Sequence, residues 1–400
     1  MRHEALTAAE DDHRSVVDLT RALVRIPSRG GVDPYGPVLD RLSTWLTEHG
    51  LTPTVLIDDS GAVVGLTCEV RGGSPGPRWV LDACLDTAPF GDESTWTHPP
   101  TSGLISDGWL WGRGSADAKS GAAIFSHLAV RLTRVAQDLH GSLVLLCDVD
   151  EHTGGFGGAK RYFAGPDAPR DVAGVIIGYP GMGELVVGGR GVYRAVLRVH
   201  GRSAHSGSSS TPGSNAVTKA AQLVQVLSAA DLPHGADRDF PLPGKLTVTA
   251  IDGGQGYSAI PDLCTVNVDI RTTPTFDGEA AAGLLTDLTS RVDDAWPGTR
   301  PTTIELVTRW PAYAFPSDSR LRTAVLDAAS LTGIPLETKI AGPSSIGNYL
   351  AGLGIPATAG FGVDYLGLHA TDERIRLDTI PIVQATYHAA VHTLLTDGAG

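Results

Sequence analysis

Four hundred residues exceed the size at which one hydrophobic core usually stops growing, so two domains are expected. Apolar residues make up 42% of the chain and charged residues 19%, a globular balance with no sign of disorder. The net charge of −13 argues against a nucleic-acid backbone or an anionic membrane surface as partner, and no apolar run approaches the ~20 residues of a membrane span.

The chain opens MRHEALTAAEDDHRS, with acidic residues where a signal peptide would carry its apolar stretch, so a cytoplasmic location is expected. Residues 13–26 read as an amphipathic helix with Val16, Val17, Leu19, Leu23 and Val24 on one side. A second helix over 37–49 ends at Gly50. Apolar, β-rich runs follow at 62–70, 79–85 and 142–149, with a helix at 118–135 between the last two and another strand at 174–177. Strands alternating with helices predict an α/β domain with a mostly parallel sheet covered by helices.

From about Gly191 the grammar changes. Strands at 192–200, 246–251 and 265–271 and helices at 214–229 and 278–292 suggest a small α+β insert. After Pro301 the alternation resumes, with helices near 318–331, 344–352 and 380–395. The expected organisation is a discontinuous domain, 1–189 and 303–400, interrupted by a smaller one at 190–302. The four cysteines share no CxxC spacing and read as buried thiols in a reducing compartment.

In open α/β sheets, functional groups collect beyond the carboxyl ends of the strands. Four segments place polar residues there: Cys84-Leu85-Asp86, the glycine-rich loop from Gly112 to Gly121, Asp150-Glu151-His152-Thr153-Gly154-Gly155, and His369-Ala370-Thr371-Asp372-Glu373. Singly, each has a structural explanation as a helix cap, a tight turn or a hydrogen-bonded histidine. Their order along the chain is more specific than any one of them. GRGSADAKSG followed by DEHTGG resembles the pattern HxD, GRGxxDxKxG, DEExGG and a C-terminal histidine. That is the pattern of the zinc amidohydrolase and peptidase family that contains succinyl-diaminopimelate desuccinylase, acetylornithine deacetylase, aminoacylase and glutamate carboxypeptidase.

The resemblance implies a lid and dimerisation domain in the insert, hence a homodimer, and two zinc ions bridged by Asp117. One ion would be held also by His152, in place of the second acid of DEE, and by His369. Two imidazoles and a carboxylate suit catalytic zinc with an open position, and manganese, cobalt or iron are alternatives. The partners of the other ion are altered. Cys84 stands where the HxD histidine is expected, and Tyr179 where an acidic residue is expected. Cys84 reads equally well as a thiolate ligand or as a small buried residue filling vacated space. Tyr179 is a poor ligand at neutral pH. One metal ion is therefore expected.

Among catalytic positions, Glu151 matches the family's general base, and Asp86 the residue that orients the HxD histidine. His205 matches the donor that reaches across the dimer to a tetrahedral oxyanion. Arg190 resembles a position that meets the substrate carboxylate, or it serves as a hinge-surface salt bridge. Asn215, Ser344, Ser345 and Asn348 complete the expected substrate-binding set, while Arg271 reads as structural. The function implied is metal-dependent hydrolysis of an amide in an N-acyl amino acid or small peptide-like substrate with a free carboxylate. Alternatives are amide formation or acyl transfer on the same fold, and a non-catalytic binding protein.

Overall fold

The computed structural model describes residues 2–210, 212–232 and 240–396. The chain divides into two compact units: Met1–Val187 with Phe315–Lys339 and Gly354–Gly400, and Gly188–Ala314 with Ile340–Leu353. The first holds a six-stranded sheet built from β1 (Thr54–Ile57), β2 (Val63–Arg71), β3 (Ser74–Asp82), β4 (His140–Asp148), β5 (Val172–Ile177) and β6 (Ala357–Thr358), in the order β1-β2-β4-β3-β5-β6. Strands β4, β3, β5 and β6 run parallel, and β2 is antiparallel to both of its neighbours. The β3–β4 connection carries the helix Ser120–Thr133, as a parallel crossover requires.

Helix Ser120–Thr133 packs on β4 together with Ile380–Thr396, and both also lie against the first helix. That helix spans Arg2–Val24 and starts eleven residues before the expected position 13. Its opening turns bury Ala5 and Ala9 against Ala385, a small-residue contact with too little apolar side chain to register as periodicity. The strand ends matter most for function. Strand β3 runs out into Ala83–Asp86, β4 into Asp150–His152 and β5 into Gly178–Tyr179, so two of the four singled-out segments, and Tyr179 with them, leave neighbouring parallel strands at the same edge.

A smaller antiparallel sheet of Leu104–Ser106, Trp109–Trp111, Tyr365–Leu366 and Arg374–Arg376 also belongs to the first unit. Its strands are two or three residues long, below the length at which a sequence pattern declares itself. It pairs Arg374 with Trp111 and thereby carries the C-terminal segment to the glycine-rich loop.

The second unit is a four-stranded antiparallel sheet, ordered Lys245–Gly253, Leu263–Thr272, Gly191–His200 and Thr303–Trp310, with helices Ala216–Ser228 and Gly278–Asp294. Alternate residues of Leu263–Thr272 point inward, where Val266, Val268 and Ile270 meet Leu223 and Leu285 in one core. The unit reaches beyond the expected 190–302. Thr303–Trp310 does not return to the first domain, because it pairs with Gly191–His200 and packs Ile304 on this core. Residues 340–353 join the same unit, so Ser344, Ser345 and Asn348 lie there and not in the discontinuous domain. Among the described residues no helix is long and apolar enough to cross a membrane.

Candidate metal centre

The glycine-rich loop owes its path to residues without side chains. Gly112 (φ 144°) and Gly114 (φ 81°) take conformations that other residues avoid, and a Cβ would collide with Val24 at the first and Thr87 at the second. Lys119, fully buried, donates to the carbonyls of Leu23 and Ile26 at 3.0 and 2.9 Å and ties the loop to the end of the first helix. Burial pulls its pKa down to about 7.

The fold brings Asp117, His152 and His369 together. Asp117 Oδ2 lies 2.8 Å from His369 Nε2 and 3.5 Å from His152 Nε2, and the two imidazole centroids are 5.2 Å apart. One donor atom from each falls within 4.8 Å of the others. The His369 side chain is 50% exposed while Asp117 and His152 are 4% and 7% exposed, so the cluster opens to solvent on the His369 side. Two imidazoles and one carboxylate converging at this spacing fit a divalent metal ion with an open coordination position.

Electrostatics agree with that use. Burial opposes ionisation of Asp117, but its hydrogen bonds from His152 and His369 and their charges hold the carboxyl well below the usual range. Burial would lower the His152 pKa, yet the hydrogen bonds to Asp117 and Asp86 raise it to about 10. Without a cation, a proton sits between these groups. Burial first, then the Asp117 charge, pushes Glu151 up to about 7.

The remaining positions are less open. Cys84 is a buried free thiol whose Sγ lies 3.7 Å from Asp117 Oδ1. Burial, then the charges of Glu151, Asp117, Asp86 and Asp148, pushes its pKa well above the ordinary value. Tyr179 is also raised strongly, by burial and then by Asp117, Glu151 and Cys84, so its hydroxyl stays protonated. Asp86 is fully buried and directs both oxygens at the segment after β4, accepting from the N–H groups of Glu151 and His152 at 3.1 and 2.9 Å.

Glu373 has a part that its place in the C-terminal motif does not reveal. Fully buried, it accepts from the N–H groups of Gly114, Ala116 and Asp117 at 2.9, 3.0 and 3.4 Å and pairs with Arg113 Nη1 at 2.6 Å. It fixes the backbone that presents Asp117. Glu373→Gln leaves the buried Arg113 guanidinium without its counter-charge and is expected to cost about 3–5 kcal/mol. The check is the thermal midpoint of metal-free protein, and adding Arg113→Met should recover part of the loss.

The second unit holds the other expected residues. His205, exposed, lies on the short strand Ala204–His205, and its Nδ1 accepts from Gly207 N–H at 3.0 Å. In the neutral ring this leaves Nε2–H as a free donor. Asn215 is a helix cap, its side-chain oxygen accepting from Val217 and Thr218 N–H. Asn348 and Ser345 form the capping box of Ile346–Gly352, and the Asn348 amide donates to the carbonyls of Arg190 and Pro311. Ser344 Oγ donates to the Arg190 carbonyl and accepts from Arg271. Asn348 and Ser344 thus both hold the Arg190 carbonyl, while the bonds of Ser345 stay within the helix cap. The Arg190 side chain donates to the carbonyls of Gly342 and Pro243, without a carboxylate partner among the described residues.

Comparison with known proteins gives concordant results. The profile of peptidase family M20/M25/M40 matches residues 80–393. A succinyl-diaminopimelate desuccinylase of Psychrobacter arcticus is 27% identical over 399 residues, covering 96% of this chain and 95% of its own. Among solved structures, the M20 family metallo-carboxypeptidase Sso-CP2 of Sulfolobus solfataricus superposes with a TM-score of 0.74 at 15% identity, covering 94% of this chain and 98% of its own. The YXEP protein of Bacillus subtilis, described as a dinuclear metal-binding peptidase, gives 0.71 at 15% identity over 96% and 99%.

Proposed function

Since the chain belongs to peptidase family M20/M25/M40, a family of amide-bond hydrolases, we propose that it cleaves the amide of an N-acyl amino acid or small peptide-like substrate bearing a free carboxylate. The observation that carries this reading is the cluster of Asp117, His152 and His369 beside Glu151. A divalent ion such as zinc would be held by those three side chains, where it would supply Lewis acidity for the scissile carbonyl and for water; manganese, cobalt or iron would suit the same set.

The protein's own part is proton handling. Glu151, raised toward neutrality, takes a proton from the attacking water onto its carboxylate and delivers it to the leaving amine nitrogen. The exposed Nε2–H of His205 donates to the oxyanion of the other copy in a homodimer. Arg190, whose guanidinium is hydrogen-bonded to the carbonyls of Gly342 and Pro243, receives the substrate carboxylate.

One metal ion per chain is part of the reading. The residue types support a single ion: Cys84 stands where a histidine is expected, and Tyr179, a poor ligand whose hydroxyl burial holds protonated, stands where an acidic residue is expected. Protein purified without chelator is expected to carry about one equivalent of divalent metal and to hydrolyse members of an N-acyl amino acid panel. Two equivalents would mean that Cys84 or Tyr179 is recruited. No metal, and none taken up on dialysis, would sink the hydrolase reading.

A further inference from the structure

We propose that Asp86 is the positioning residue of the metal ligand His152, holding its Nδ1–H so that Nε2 is left bare toward Asp117 and the metal. The inference rests on His152 being a ligand, and it assigns Asp86 a partner other than residue 84. Three observations carry it.

The first is geometric. Asp86 Oδ2 lies 3.3 Å from His152 Nδ1, while the opposite ring nitrogen, Nε2, faces Asp117 Oδ2 at 3.5 Å. A ligating imidazole is oriented and made more basic by a carboxylate on its remote nitrogen, and that carboxylate fixes which nitrogen keeps the proton. The second concerns residue 84. The Cys84 thiol turns its hydrogen bonding to Asp117 Oδ1, at 3.7 Å, and to Glu151, and among the described residues none joins it to the Asp86 carboxylate. The third is the surroundings. Asp86 is fully buried and Gly30 lies close over the pair: a Cβ there would sit 3.3 Å from both Asp86 Oδ2 and His152 Cβ. The contact is therefore shielded from water, where a charge-assisted hydrogen bond is strongest.

Asp86 also accepts the backbone N–H groups of Glu151 and His152. One carboxylate thus ties the end of β3 to the segment after β4, fixing general base and ligand together. Relative to the HxD and DEExGG pattern, the imidazole has moved from position 84 to position 152, and the aspartate serves it in its new place.

The test is a double-mutant cycle on Zn²⁺ affinity, measured by competition with a chromophoric chelator. Asp86→Asn is expected to weaken Zn²⁺ binding about 10- to 100-fold when His152 is present and to add nothing in the His152→Ala background. Equal losses in both backgrounds, or none in either, overturn the proposal and reduce Asp86 to a backbone brace. Unchanged affinity in His152→Ala alone sinks the ligand reading itself, a separate result. Should Asp86→Asn fail to fold, ¹⁵N-histidine NMR of the zinc-loaded wild type decides: the proposal requires the His152 proton on Nδ1 and the metal on Nε2, and the reverse pattern refutes it.

Discussion

Glu151→Gln is expected to lower kcat by about two to four orders of magnitude while leaving bound metal and KM close to those of the parent enzyme. The amide has the size of the carboxylate but cannot accept a proton. The residue is suited to the task by its surroundings. Burial and the Asp117 charge raise its pKa to about 7, against the lowering effect of His152 and the Cys84 thiol. A base near neutrality combines a usable deprotonated fraction with real affinity for the proton it must hold. The sign of the pH dependence follows. The active form is the carboxylate, so kcat/KM falls as pH drops through the pKa of Glu151. A bound cation favours the carboxylate, which places this acid limb at or below about 7. The limb should disappear in Glu151→Gln. A variant with parental kcat, or with the acid limb intact, would show that the proton goes elsewhere.

The parts of this site legible in the sequence are those that local chemistry announces. Asp86, Asp117 and His152 follow apolar runs or a glycine-rich loop, and the α/β grammar says that such strand ends converge. Glu373 was visible as a residue of the C-terminal motif, yet its role depends on register. The antiparallel pairing of Arg374 with Trp111, and of the Glu373 carbonyl with Gly112 N–H, brings its carboxylate to Arg113 across 260 positions. Nothing short-range encodes that. Asp82 and Asp148 are similar. They stand inside strands β3 and β4, where a period-two pattern does not distinguish a buried acid from an exposed one. Burial pushes both carboxyls well above the usual range, with the Glu151 charge adding to each and the Asp82 charge to Asp148. Asn215 shows the opposite limit. An asparagine directly before a helix is a cap signal, and the structure shows that cap, whereas its expected place among the substrate-binding residues rests on the resemblance alone.

Asp117→Asn is expected to abolish metal retention and, with it, activity, a loss of several kcal/mol in transition-state stabilisation or about a thousandfold and more in rate. The carboxylate is the one anion within the three-residue cluster, and both imidazoles converge on its Oδ2. An asparagine keeps the shape and removes the charge, so two neutral rings are left to hold a dication. The metal-free protein supplies an independent reading of the same loss. His152 is raised from its ordinary value to about 10 by Asp117 and Asp86 together. A histidine raised in the folded state stabilises it fully below the unfolded pKa, and that stability fades as pH climbs toward the folded value. Removing one of its two carboxylate partners must lower the His152 pKa. Chelator-stripped Asp117→Asn should therefore lose more stability relative to wild type at pH 6 than at pH 10. Metal uptake by the wild type must displace the same proton, so its affinity rises with pH over that window. If Asp117→Asn binds zinc like the parent, or is destabilised equally at both pH values, the charge of Asp117 is not what holds this centre together.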